Sequence, residues 1–428
     1  MSPRPRYMAR LRAALDADHA LALLQRAVAA QSVTGNEATM AKMLQPEMAR
    51  LGLDPIATDF LPGRPNIRGT RVGTGGPHLL FMGHTDTVNA RGWVDHWAGS
   101  AQQDPFGGAV IDGELWGRGA ADLKAGICAS LAALDLIDRA GLHLKGTLSY
   151  AFVGDEESGE HGLGVSAGVR AYSAQVVAGD IPRPDFAIYL EPTQLQVLPV
   201  QIGFFIADIA IHGRTAYFGR PELGVDALKA THAILSAIWA HSDAIAARAD
   251  HPLLGRAFAL VTDITGGGMI AVPGDCRLSL IRKLLPDENL EAAALDLEAV
   301  IHAATPPEIS VRIDWPAGRD HSRGGSAAET AADHPAVRRL SEYMAAAKPG
   351  AGQIAGAHFW SEMPFLTDQI GCPAVYCAPG DISICHTFEE RVPLSDYYDG
   401  IVALAAFIVD FCGITEAGPT INTQGEQP

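Results

Sequence analysis

Several short stretches of this sequence end in side chains that can hold a divalent metal ion or move a proton. GHTDTV carries His84 and Asp86 two residues apart, so on an extended segment both lie on one face. That spacing suits a metal-bound imidazole whose ring is oriented by a neighbouring carboxylate. Asp122 stands where GRGAAD leads into a helical pattern, a place where the helix dipole favours a carboxylate. YAFVGDEESG sets Asp155, Glu156 and Glu157 side by side after an apolar run. Such neighbours repel and raise one another's pKa unless a cation sits among them. Glu191 follows FAIYL and precedes Pro192, and His386, in ICHTFEERV, follows the turn APGD. Taken singly, each has an ordinary explanation: a polar strand end, a helix N-terminal charge, a solvated acidic loop. Together, two imidazoles and at least three carboxylates would satisfy a pair of divalent ions with one bridging carboxylate. Neighbouring acids at a strand end point in different directions. One of the triplet can then bind metal while another faces the water to be activated, and nearby dications offset the repulsion. The acids read as a ligand and a base.

Such residues need strand ends that converge. HLLFMGH (78–84), GTLSYAFVG (146–154) and DFAIYLE (185–191) are apolar runs of strand length, and 119–141 carries a helical stripe of Leu123, Ile127, Leu131, Leu134 and Ile137. Strands alternating with long helices predict a doubly wound α/β layer structure, which carries its sites at the C-terminal ends of parallel strands. The pattern changes after residue 203. Strand 204–213, helix 224–247, strands 257–264 and 275–284, helix 287–303 and strand 308–315 give the order βαββαβ, a small α+β unit. Gly-rich turns at 266–268 and 323–325 punctuate it, and the chain closes on an apolar helix at 398–413. The expected organisation is a discontinuous α/β domain, 1–203 and 319–428, interrupted by an inserted α+β domain, 204–318.

The totals agree. A chain of 428 residues is too long for one ordinary core. A net charge of −17 argues against nucleic acid and anionic membrane surfaces as partners, and requires a locally positive site for any anionic substrate. No stretch approaches a membrane span. Asp16, Asp18 and Arg26 interrupt any signal-peptide core, so the N-terminus reads as an amphipathic helix of a cytoplasmic protein. Cys128, Cys276, Cys372, Cys377, Cys385 and Cys412 are scattered without a CxxC pair, and a reduced state is expected.

GHTDTV, DGELWGRGAADLKAG, GDEESG, EPT and CHTFEE in this order resemble the M20 family of co-catalytic metallopeptidases and amidohydrolases, and the similarity runs from SVTGNE (32–37) to the last helix. Within that family, which includes acetylornithine deacetylase and succinyl-diaminopimelate desuccinylase, HFWSEMPFL (358–366) followed by APGDISICHTFEERV looks most like the acetylornithine deacetylase branch. The resemblance implies one or two divalent ions, zinc first, with manganese or cobalt as alternatives. By position, His84 and Glu191 would hold the first ion, Glu157 and His386 the second, and Asp122 would bridge them. Asp86 would steer His84, and Glu156 would be the general base that takes a proton from the bridging water. The insert would be a lid through which a homodimer forms. Arg282, in LSLIRKLLPDE, would hold a carboxylate of a small anionic substrate.

The match breaks in the lid. Where the family carries a histidine that reaches across the dimer to polarise the scissile carbonyl, IHGRTAYFGRPELGVDAL places Tyr217, and Ile270 replaces an asparagine that assists it. Losing one oxyanion donor costs roughly 2.7–4 kcal/mol of transition-state stabilisation. The expected activity is metal-dependent hydrolysis of the amide of an N-acyl amino acid, with Tyr217 donating to the oxyanion. One alternative is a hydrolytic deaminase of an activated aromatic amine such as a substituted aminobenzoate, which needs no such donor. A second is a metal-binding relative without turnover. His78, His96, His143, His161 and His212 read as solvated or structural, and Cys385 as a small buried neighbour of His386. His358 and Glu362 remain substrate-side candidates.

Overall fold

The computed structural model describes residues 4–157, 163–248 and 250–415, so His161 lies outside the described residues. Strands β1 (Ile56–Leu61), β2 (Arg64–Arg71), β3 (His78–His84), β4 (Thr147–Val153), β5 (Phe186–Tyr189) and β6 (Val197–Gln201) come first. β7 (Gly203–His212), β8 (Phe258–Gly266), β9 (Asp275–Leu284) and β10 (Ser310–Asp314) follow, and the chain returns with β11 (Ala374–Tyr376). The first six and β11 belong to one nine-stranded sheet with the order β1-β2-β4-β3-β5-β11-β6. At its centre β3 runs parallel to both β4 and β5. From Leu79 onward every residue of β3 is buried, as a central strand covered on both faces requires. Helices α1 (Ala125–Arg139) and α4 (Leu394–Cys412) pack against each other over this sheet, and their apolar side chains join one continuous core.

The register decides where the chemistry falls. His84 pairs with Val153 and Met82 with Tyr189. The strands therefore end nearly level, and the residues that follow β4 and β5 emerge beside His84.

β7 to β10 form a second sheet, ordered β8-β9-β7-β10, with α2 (Ala227–Ala246) and α3 (Leu290–Ala304) on one face. The chain order βαββαβ expected from the sequence is the one observed, and the fold is a doubly wound α/β unit carrying an inserted α+β unit. Along β7, Phe205, Ala207, Ile209 and Ile211 enter a core with both helices, while Phe204 and Ile206 lie half-buried on the opposite face. Asp226 caps α2 by accepting the amides of Leu228 and Lys229, so the helix starts later than the expected 224.

α1 also starts late, at Ala125, because Asp122 and Leu123 leave helical backbone angles (Asp122 φ −115°, ψ 92°). Asp122 is therefore not a simple N-terminal helix charge, as the sequence suggested. No helix among the described residues is long and apolar enough to cross a membrane.

α1 lies so close to the strand end carrying Glu191 that only glycine fits at 126: a Cβ there would stand 2.5 Å from the Leu190 carbonyl oxygen. Gly126→Val should lower stability by about 1–3 kcal/mol, read as a reduced urea midpoint at unchanged m-value.

Candidate metal centre

Asp122 is the meeting point. His84 Nε2 lies 3.1 Å from its Oδ1, and His386 Nε2 lies 3.1 Å from its Oδ2. His386 Nε2 is also 3.0 Å from Glu157 Oε1, and His84 Nε2 is 3.7 Å from Glu191 Oε1. Donor atoms of His84, Asp122 and Glu157 fall within 4.8 Å of one another. His84, Asp122, Glu157 and Glu191 are all buried, while His386 stands half in the open on a backbone of positive φ.

The acidic triplet divides its labour. Asp155, at φ 70°, turns away from the centre. It accepts from Arg64 at 2.7 Å and from the amides of Gly164, Val165 and Ala167, while Glu37 takes the other side of Arg64. Glu157 faces His386. Glu156 is left half-buried on the wall of a cavity of about 260 Å³, beside His84, Asp122, Glu157, Glu191 and His386.

Asp86 works differently from the expectation. His84 Nδ1 lies 3.0 Å from its main-chain carbonyl, whereas its carboxylate stays 3.9 Å away. That carboxylate accepts the amide of Glu157 at 3.0 Å and the Thr34 hydroxyl at 3.0 Å. Asp86 thus orients the ring through its backbone and the triplet through its side chain.

Two supports, Glu390 and Ser361, carried no signal in the sequence, and a third, Glu362, was expected on the substrate side. Glu390 accepts the amides of Ala121 and Asp122 at 3.3 and 3.2 Å and is ion-paired to buried Arg118, which fixes the non-helical turn at Asp122. Ser361 donates to Glu191 at 2.6 Å. Glu362, buried, accepts the Tyr189 hydroxyl at 2.8 Å rather than facing substrate. The nearest available signals were positional: Glu390 four residues after His386, and Ser361 beside Glu362.

The substrate-side expectations need correction. Arg282 pairs across β9 and β7 with Phe205, on the face that enters the insert's core, and is bound there to Glu288 and the Lys283 carbonyl. Strand parity points it away from the metal centre. Its neighbour Ile281, opposite Ile206, takes the other face and lines a second cavity of about 400 Å³ that shares Glu156, Glu157 and His386. The arginine in that lining is Arg319, and His358 lines it too. Tyr217, paired with Ala271, and Ile270 are 65% and 68% exposed at the tip of the insert and line neither cavity. Cys385 is buried with its thiol toward the Asp381 carbonyl, which fits a packing role.

Among the described residues no lysine or arginine is ion-paired with Asp122, Glu157 or Glu191. Burial, then the charge of Asp122, pushes Glu157 up to about 8 and Glu191 well above the ordinary carboxylate range. Burial likewise raises Asp86 to about 6. Hydrogen bonds to Asp122 and Glu157 hold the His386 proton up to about 11. Burial works against the charge of Asp122, but hydrogen bonds from His386 and His84 keep it below its usual value. Imidazole and carboxylate donors converging in a cation-poor pocket fit a divalent ion.

Residues 80–410 match the family model of peptidase family M20/M25/M40. The chain belongs to this family. It is 35% identical over 217 residues to succinyl-diaminopimelate desuccinylase of Methylorubrum extorquens (strain PA1), covering 48% of this chain and 53% of that protein. The chain thus spans about half the length of that relative. Acetylornithine deacetylase of Proteus mirabilis (strain HI4320) is 28% identical over 358 residues, 82% of this chain and 83% of its own. The M20 fold recurs in the metallo-carboxypeptidase Sso-CP2 of Sulfolobus solfataricus, with TM-score 0.72 and 15% identity over 91% of this chain and 98% of that one. Aminopeptidase PepT of Bacillus cereus ATCC 10987 gives TM-score 0.70 at 18% identity, over 92% and 100%. In this M20 chain the His84–Asp122–Glu157 cluster can coordinate a divalent ion.

The proton affinities give a sign. Between about pH 5 and about pH 8 the metal-free fold keeps protons on Glu157, Asp86 and His386 that the unfolded chain releases, so stability falls as pH rises. Asp122, whose affinity is lowered, acts only below that window. Chelator-treated protein should melt at a lower temperature at pH 8 than at pH 5. Added zinc should raise the midpoint more at pH 8, which differential scanning calorimetry reads directly.

Proposed function

We propose that this enzyme hydrolyses the C–N amide bond of a small carboxylate-bearing substrate of the N-acyl amino acid type, with Glu156 as general base. The observation that carries the reading is the position of Glu156: it is half-buried on the wall of the cavity that all five candidate ligands line. In this reading His84 and Glu191 would hold one ion, Glu157 and His386 a second, and Asp122 would serve both. A bound zinc, manganese or cobalt ion supplies Lewis acidity, polarising a carbonyl and lowering the pKa of water. Glu156 accepts the proton of the attacking water and returns it to the departing nitrogen. Asp86 and Glu390 hold the backbone on which Glu157 and Asp122 are mounted. Arg319 takes the substrate-carboxylate role expected of Arg282, because it lines the cavity that holds Glu156. The names of the desuccinylase and deacetylase relatives support an amide.

A second copy of the chain is the proposed partner, joined through the insert. β8 is an edge strand with Phe258, Leu260 and Ile264 exposed along it. In such a dimer the proposed role of Tyr217, exposed on the insert, is to donate its hydroxyl to an oxyanion. Six unpaired, buried cysteines suit a reducing, cytoplasmic compartment. A second reading, hydrolytic deamination of an aminobenzoate, is favoured by one observation: Phe204, Phe359 and Trp360 give the cavity an aromatic wall.

Glu156→Gln should lower kcat about 10²–10⁴-fold at unchanged metal content. Metal-loaded protein offered N-acyl amino acids and aminobenzoates should release a carboxylic acid and an amine by mass spectrometry. Ammonia with a ring hydroxyl would establish the deaminase instead, and no turnover of either class would leave a binding protein. Leu260→Glu should convert a dimer to a monomer in sedimentation velocity, and an unchanged sedimentation coefficient would place the interface elsewhere.

A further inference from the structure

The cavity of about 400 Å³ beside Glu156 has two apolar walls and a single arginine. One wall is the open face of the inserted sheet: Phe204 and Ile206 from β7, Ile281 opposite Ile206 on β9, and Ile202 just before them. The other wall is Phe359 and Trp360. Trp360 is fixed, since its indole N–H donates to the Ser326 carbonyl at 3.0 Å, and a Cβ on Gly325 would lie 2.3 Å from that nitrogen. Phe359 leans on Tyr376 with ring centroids 5.3 Å apart. Phe204 and Trp360 meet across the two walls at 5.9 Å and 65°, edge to face. Arg319 stands over the Trp360 ring at 6.0 Å, its backbone amide held by the His321 and Gly324 carbonyls. Among the described residues no carboxylate pairs with it.

We propose that this cavity selects an aromatic carboxylate, with an aryl ring lying against the contiguous surface of Phe204, Trp360 and Phe359 and its carboxylate on Arg319. The proposal takes the bond cleaved from the C–N hydrolase reading and adds the class of substrate. Acetate-sized groups leave the apolar walls wet. A dicarboxylate such as a succinyl group finds one guanidinium on this lining for its two charges. A ring satisfies the walls and leaves a single charge for Arg319, and cavities of this size with few polar groups fit ligands of that kind.

The test is isothermal titration of metal-loaded protein with benzoate, cyclohexanecarboxylate, succinate and acetate. Benzoate should bind about tenfold or more tighter than acetate or succinate, and more tightly than cyclohexanecarboxylate. Phe204→Leu, a small change in volume, should weaken benzoate and leave acetate unchanged, and Arg319→Gln should weaken both. Succinate or cyclohexanecarboxylate matching benzoate would overturn the proposal, as would a Phe204→Leu variant that keeps the full preference. Turnover of N-acetyl amino acids without benzoate preference would sink this inference and leave the hydrolase reading standing. Benzoate preference without C–N cleavage would do the reverse.

Discussion

One carboxylate sets the terms for the rest of the structure. Asp122 has two oxygens and two imidazoles, one on each, and those imidazoles arrive from positions 84 and 386. For both to reach it, the carboxylate must project from a turn rather than from a helix. The backbone there is accordingly non-helical, and its amides are claimed by Glu390 instead of by the helix ladder. Arg118, buried, compensates the charge that Glu390 brings. The register of β3 with β4 and β5 then supplies the remaining acids at the same level. Sheet, turn and returning loop answer a single geometric demand.

The second demand is charge. Burying several acids around two imidazoles is costly unless cations pair with them. The chain solves this twice, by different means. Around Asp155 it supplies its own cation, Arg64, and three amides, producing a closed structural network. Around Asp122, Glu157 and Glu191 the described residues supply no lysine or arginine partner, and the pocket retains an affinity for positive charge. The contrast between neighbours in one triplet separates a structural acid from acids that can hold metal.

Much of this was legible in the sequence. Apolar runs of strand length located β3, β4 and β5, and the change of rhythm after residue 203 announced the insert and its βαββαβ order. The residues meeting at Asp122 were legible because metal donors at strand ends are rare in combination. What escaped was whatever depends on facing. Arg282 lies on a strand, and sequence alone does not say which face of a strand meets a cavity contributed by another part of the chain. Arg319 sits in an irregular segment where no periodicity predicts direction. Glu390 acts through backbone amides, which leave no mark on the residues they hold. The late start of α1 escaped because its apolar stripe begins at Leu123, two residues before the helix does.

The alternation along β7 separates two tasks within one strand. Residues 205, 207, 209 and 211 hold the insert together, and 204 and 206 face the ligand cavity. Mutational drift at the second set can therefore proceed without unsettling the first. A lineage built on this scaffold is free to exchange the compounds it accepts by altering every other letter of a short segment, while the machinery around Asp122 stays constant. A single-residue insertion within β7 would have the opposite effect, turning the hydrophobic core outward and exchanging both tasks at once.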